Sequence, residues 1–265
     1  MATSPSLCLD ALRAEISAIE RGGAMAAARP ALPFGLEAVD GRLAGGGLLP
    51  ALHEAAAASP APGDDAAATL FLAALAARFS RAKDRDGKTG QVLWAMVRRD
   101  LFAPGLAQAG LTPDRLLYAQ CRDDAEALAV MEEGVRHGSL AAVVGEVKRA
   151  DMAAARRLQL AAEEGGTPAF LLRRWRKAGE APLAAPSAAA ARWRIACAPS
   201  SPLPYGIDPS EGIGRARWRV ALVRQRGGPP FEWLLEAPDA EACFALPAAI
   251  GDRADRQGGA ERQAA

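Results

Sequence analysis

The chain has 265 residues, 50% of them apolar, enough for one sizeable core that buries about three quarters of the surface its unfolded form exposes, which excludes disorder as its main state. Its 64 alanines, and 28 arginines against 4 lysines, reflect a compositional habit more than a chemistry. With 32 basic and 31 acidic residues the formal charge is +1, so no global field draws the chain to nucleic acid or to an anionic membrane, and any DNA contact must come from a local patch.

Cys8, Cys121, Cys197 and Cys243 are scattered without a C-x-x-C pair, which suits a reducing compartment better than a disulfide or zinc framework. No apolar run reaches the roughly 18 residues of a membrane span, and Asp10 and Glu15 stand where a signal peptide would be basic and then apolar. A soluble, cytoplasmic chain is expected.

Leu9, Leu12, Ile16 and Ile19 recur at helical spacing, predicting a short amphipathic helix over residues 6 to 21 closed by Gly22-Gly23. Its apolar face either packs on the chain's own core or is displayed to a partner. An Ala/Pro stretch to Pro33 separates it from the main body.

From Leu52 onward, apolar runs suited to strands alternate with helical patterns. Strands are predicted at Leu52 to Ala57, Gln91 to Val97, Leu116 to Gln120, Ala141 to Val147 and Ala169 to Leu172. Helices are predicted near 64 to 81 and 101 to 109, then at Asp123 to His137 and Arg149 to Glu164. This alternation predicts a mostly parallel sheet with helices on both faces.

After Arg173 the pattern changes. A loop of Arg, Ala and Pro over 174 to 190 leads to Arg192 to Ala198, a Pro/Gly/Ser-rich crossing, then Arg217 to Arg226 and Phe231 to Glu236. Trp218, Val220 and Leu222 alternate with Arg217, Arg219 and Ala221, the period of two of half-buried antiparallel strands. Three regions result: an N-terminal helix and linker over 1–33, a core over 34–247, and a polar tail over 248–265 expected to be disordered.

Chemistry is hard to find. Asp86-Gly87-Lys88-Thr89 holds the end of a phosphate-loop motif, but the Gly needed five residues earlier is Ala82, and the string precedes a strand instead of opening a helix. The place for such a loop is after the first strand, where Ser59, Gly63, Asp64 and Asp65 stand without a Lys, and the two aspartates repel an anion while suiting a helix start. His53 and His137 are too few for a hydrolase triad with no G-x-S-x-G, and no metal set is evident. Glu146 ends an apolar strand, a position that sometimes carries a carboxylate for metal or base duty, and standing alone it reads as a solvated strand end. Arg173, Arg174, Trp175, Arg176 and Lys177 interleave cations with an aromatic as single-strand binders do, or form a merely solvated loop. Around Trp193 and Trp218 the expectation is Trp inward and Arg outward.

In order, these segments resemble the core of the bacterial recombinase RecA up to about residue 237. The likeness runs from Leu12 to Gly22, through Phe34-Gly35-Leu36 to Asp40 and Gly45-Gly46-Gly47-Leu48, then Ala82 to Thr89 and Gln91 to Met96. Leu116 to Cys121, Leu140 to Val147, Pro168 to Arg174 and Arg217 to Glu236 follow. Within that superfamily, Leu32 to Glu54 and Arg217 to Ala237 look most like the ImuA family, accessory proteins of SOS-induced mutagenesis.

The resemblance implies a RecA-like α/β core with antiparallel strands added at its C-terminal edge. It also implies a role beside ImuB, a polymerase-like protein of the translesion family, and an error-prone replicative-type polymerase. Against the recombinase, the phosphate-loop Gly, Lys and Thr are missing between Ser59 and Ala66. The catalytic Glu falls near Val97, the Walker B Asp at Gly145 with Glu146 next, and the nucleotide-sensing Gln near Arg174. Their joint loss implies an adaptor without ATPase chemistry and without a cofactor. A helix like Leu9–Ile19 docks between protomers in recombinases, which implies a second copy or RecA as its partner, and DNA affinity that is weak or borrowed. Two rivals remain: an active ATP-dependent recombinase-like protein, which tight ATP binding would reveal, and a SulA-type division inhibitor, which filamentation on overexpression would reveal.

Overall fold

The computed structural model describes residues 30–82, 89–177, 179–200 and 214–247. The helix expected over 6 to 21, the string at 86–88 and the tail lie outside these residues, so Leu9, Leu12, Ile16 and Ile19 have no described placement.

Eight strands form one sheet: β1 Leu52–Ala57, β2 Val92–Met96, β3 Leu116–Gln120, β4 Ala142–Val147, β5 Ala169–Arg173, β6 Ala191–Ala198, β7 Arg217–Gln225 and β8 Phe231–Glu236. Their order is β3-β2-β4-β5-β1-β6-β7-β8. The six strands from β3 to β6 run parallel, and β7 and β8 are added antiparallel. The fold is therefore the expected α/β class, a mostly parallel sheet flanked by helices with antiparallel strands at its C-terminal edge.

The helices are α1 Glu37–Asp40, α2 Pro62–Arg81, α3 Ala103–Gln108, α4 Asp124–His137 and α5 Met152–Gly165. Asp123 and Asp151 cap α4 and α5, accepting from the N–H of Glu126 and Ala154, each worth about 1 kcal/mol. The cap at Asp151 moves the start of α5 later than the expected Arg149. Gly138 (φ 73°) and Gly166 (φ 64°) end the two helices in the left-handed region that Gly enters without strain.

α2 lies across one face of the sheet, and most of its residues are buried. Alanine is what permits this, because a helix enclosed nearly all round needs small side chains to approach strands closely. Trp94, Phe170, Trp193 and Trp218 face α2, with Phe34 and Phe244 closing the layer. On the other face α4 and α5 pack through Met131, Val135 and Leu158 onto Val143 and Leu171. Strand alternation assigns each residue to one of these layers, and that alternation decides what happens at the strand ends.

Candidate functional site

In an open parallel sheet, ligands bind beyond the C-terminal ends of the strands, where a helix N-terminus faces the opening. Here that place lies above β1, β4 and β5 at the start of α2, and the protein's own side chains occupy it. Asp64 and Asp65 sit in the first turn of α2, beside Pro62 at its start. Asp64 accepts from the Ser59 hydroxyl at 2.6 Å and from the Cys197 N–H at 2.7 Å, tying the turn after β1 to β6.

Asp65 reaches Arg174, whose Nη1 lies 2.6 Å from Asp65 Oδ2. The same guanidinium donates to Glu146 Oε2 through Nη2 at 2.8 Å and Nε at 3.0 Å, and the Trp94 indole N–H donates to Glu146 Oε1 at 2.7 Å. Asp65, Arg174, Glu146 and Trp94 thus form one connected chain from α2 across β5 and β4 to β2. Burial raises the Glu146 carboxyl above the usual range, and the Arg174 charge and the two side-chain hydrogen bonds oppose that rise. The Arg174 guanidinium is driven upward by its two carboxylates against the cost of burial.

A second cluster lies on the opposite face. Glu54, fully buried in β1, accepts from Arg173 Nη1 at 3.2 Å, the Ser187 hydroxyl at 2.8 Å and Arg192 Nε at 2.9 Å. Arg192 also donates to Ala185 O at 2.9 Å. Two guanidiniums on one carboxylate pin the segment after β5 against the sheet. Arg173 and Arg174, adjacent in sequence, serve different clusters because strand alternation sends them to opposite faces.

Several expectations need correction. Glu146 is not a solvated strand end: it is 3% exposed and ion-paired. Gly145, assigned to the Walker B position, faces α4, where a Cβ would lie 2.1 Å from Met131 Sδ; the residue turned toward the start of α2 is Glu146. Arg173 and Arg174 leave the proposed DNA-contact set, since both are buried in ion pairs. Trp175 is half-buried, its indole N–H donating to Ala57 O at 3.0 Å, so it packs along the sheet.

Arg176 and Lys177 stay more exposed, each paired with Glu180 at 2.9 and 3.1 Å. Arg176 lines an open cleft of about 600 Å³ between the turns after β4 and β5, where Lys148 and Arg149 also stand, two exposed cations that the cation-aromatic pattern did not single out. Trp193 and Trp218 lie in the core and Arg194 and Arg219 point outward as expected, whereas Arg192 is drawn inward by Glu54. The signal for Glu54 was available as one carboxylate within an apolar strand run, His53 to Ala57. Among the described residues, no three His, Cys, Asp or Glu side chains converge as a metal set, and no helix is long and apolar enough to cross a membrane.

Fold and strand ends together define a class: a mixed α/β protein whose sheet has the layout of a ligand-binding domain and whose strand ends are closed by internal ion pairs. Two curated relatives, Protein ImuA from two strains of Caulobacter vibrioides, are each 42% identical over 216 residues, covering 80% of this chain and 85% of theirs. The chain belongs to the ImuA family. No protein-family model matches it. Among solved structures, the crystal structure of SulA from Pseudomonas aeruginosa is similar at 25% identity, covering 47% of this chain and 98% of that one with a TM-score of 0.38, an overlap too loose to define a shared topology.

Proposed function

We propose that the chain is a non-catalytic, cytoplasmic accessory protein of DNA damage-induced (SOS) mutagenesis and translesion synthesis. It acts as an adaptor that binds an ImuB-type polymerase-like protein, and through it an error-prone replicative-type polymerase, with RecA as a further partner. Membership of the ImuA family supports the pathway. The observation that carries the non-catalytic reading is the Asp65–Arg174–Glu146 ion-pair chain above the start of α2.

A phosphate at that place would need free amides and a cation from the turn after β1. Asp64 and Asp65 place negative charge there, and Arg174, the cation that the described residues bring to the start of α2, is paired with two carboxylates. Losing such electrostatic stabilisation costs several kcal/mol in a phosphoryl-transfer transition state, so the site has no means to drive hydrolysis. The strand order, with α2 leaving the inner strand β1, supports descent from a RecA-like nucleotide-binding core. DNA affinity in the assembly then comes chiefly from the polymerase-like partner. The test is affinity purification of the tagged chain from DNA-damaged cells. Recovery of the ImuB-type protein supports the adaptor role, and its absence from a complex that the intact chain forms with other proteins refutes it.

A further inference from the structure

The two edges of the sheet are treated differently. At the β8 edge the chain turns back, and the Glu236 N–H donates to Ala245 O at 2.8 Å. At the β3 edge, among the described residues, nothing covers the strand. Its sequence, Leu116-Leu117-Tyr118-Ala119-Gln120, has no Lys, Glu, Pro or Gly to discourage pairing, the devices that exposed edges ordinarily carry. Leu117 and Tyr118 are 41% and 46% exposed, one on each face of the sheet, while α4 lies over β2 and β4 instead.

The direction of the free groups is fixed by the inner side of the strand. The Cys121 N–H donates to Met96 O on β2, so by alternation 117 and 119 also turn their backbone groups toward β2, and Leu116, Tyr118 and Gln120 turn theirs outward. The Leu116 N–H donates to Pro113 O in the turn that precedes the strand, and among the described residues no acceptor meets the outward N–H groups of Tyr118 and Gln120. This is an unsatisfied ladder of one parity, and its parity restricts the strand that can be added.

We infer that β3 pairs with β3 of a second copy of this chain, antiparallel and centred on Tyr118, joining the two sheets across a twofold axis. In this register Leu116 lies opposite Gln120 of the second copy and Tyr118 opposite its own counterpart. Tyr118 and its counterpart are then a hydrogen-bonded pair of the antiparallel ladder, and the free Gln120 N–H of each copy donates to Leu116 O of the other, while the Leu116 N–H keeps its bond to Pro113 O. Leu117 meets Ala119 across the axis, covering apolar surface on one face, and the two Tyr118 rings meet on the other.

Charge selects the same register. Beyond the two ends of β3 stand Asp114 and Arg122, with side chains 75% and 86% exposed; within the chain Asp114 lies 3.9 Å from Arg115 and Arg122 2.9 Å from Glu126, and the twofold brings Asp114 of each copy to the end where Arg122 of the other lies, adding a second carboxylate beside that guanidinium. The edge is therefore self-complementary in hydrogen bonds, apolar contact and charge, as an isologous interface must be.

Sedimentation velocity on the full chain over a concentration series, together with cysteine cross-linking, tests this. The expected result is a reversible monomer–dimer equilibrium. Asp114→Arg weakens it by about tenfold, because like charges then face each other, and Asp114→Arg with Arg122→Asp restores it. Tyr118→Cys yields a disulfide-linked dimer under mild oxidation, since hydrogen-bonded antiparallel pairs have Cα atoms about 5.5 Å apart, within disulfide reach. Leu117→Cys, set off diagonally from its counterpart by about 7 to 8 Å, does not. A chain that stays monomeric at every concentration overturns the proposal, including the case where the edge fills only when an ImuB-type partner is added. A dimer indifferent to the charge reversal, or cross-linking as efficient at Leu117→Cys as at Tyr118→Cys, overturns it equally.

Discussion

Removing the guanidinium that joins α2 to the sheet exposes how much the closed strand ends contribute to stability. Arg174→Ala leaves Glu146, 3% exposed, without its counter-ion. Asp65, with a side chain 31% exposed, regains water, so nearly all of the cost falls on Glu146. Breaking a buried pair from one side costs about 3–5 kcal/mol. For a chain of this size that lowers the melting temperature by roughly 6 to 20 °C, at about 2–4 °C per kcal/mol.

The cost has a ceiling, because Glu146 can take a proton. Its carboxyl is already raised by burial with Arg174 opposing the rise, and without Arg174 it rises further. The folded variant then binds a proton more readily than its unfolded form. Its deficit relative to the wild type is therefore largest at neutral pH and shrinks as pH falls through the raised value. Urea unfolding followed by circular dichroism, at neutral pH and in mild acid, measures both quantities. Arg174→Met with Glu146→Leu, which removes both charges and keeps the volume, is expected to recover most of the loss. A deficit for Arg174→Ala below about 1 kcal/mol, or one that does not change with pH, would show that the pair is not the buried contact described above.

Other outcomes follow from single sites. His53, enclosed beside Phe170 with Nε2 2.8 Å from Leu49 O, is lowered by burial from 6.5 to about 4. Its contribution is present above pH 6.5 and lost as pH falls toward 4, about 3 kcal/mol in all at about 1.4 kcal/mol per pH unit, and His53→Gln should flatten the acid limb of the stability profile. Gly145→Ala should cost about 1–3 kcal/mol by overpacking, with Met131→Ala in the same chain relieving part of it, as thermal melts would show. Single-strand DNA binding through the loop after β5 is expected to be weak and sequence-independent, with a salt slope no steeper than about −1.4, since only Arg176 and Lys177 of the Arg173–Lys177 run are exposed and both must leave Glu180 to meet phosphate; nanomolar affinity at physiological salt in fluorescence anisotropy would place the site elsewhere. Deleting residues 1 to 23 should leave a folded core but abolish association with RecA, and unchanged RecA capture after that deletion would dismiss the helix as the contact.

The strands were legible because each is a short apolar run bounded by turn residues. Leu116–Gln120 and Phe231–Glu236 match to the residue, and burial of one face leaves little freedom in their register. The strand ends were less legible. Sequence placed Glu146 and the Arg173–Lys177 run correctly along the chain but not in depth, since a charge at a strand end reads as solvated until its partner is known. The partners of Glu146 lie 28 and 52 residues away and those of Glu54 119 to 138. No local pattern signals such pairs. The one-residue ambiguity between Gly145 and Glu146 was likewise settled only by which face each turns to, because neighbouring strand residues point in opposite directions.

The closed strand ends are tested most directly by titrating the full-length chain with ATP and magnesium in a calorimeter while following phosphate release. The expected result is no saturable heat and phosphate release at background. Stoichiometric binding, with release above background that Glu146→Gln abolishes, would contradict the non-catalytic assignment and return the chain to the active nucleotide-dependent class.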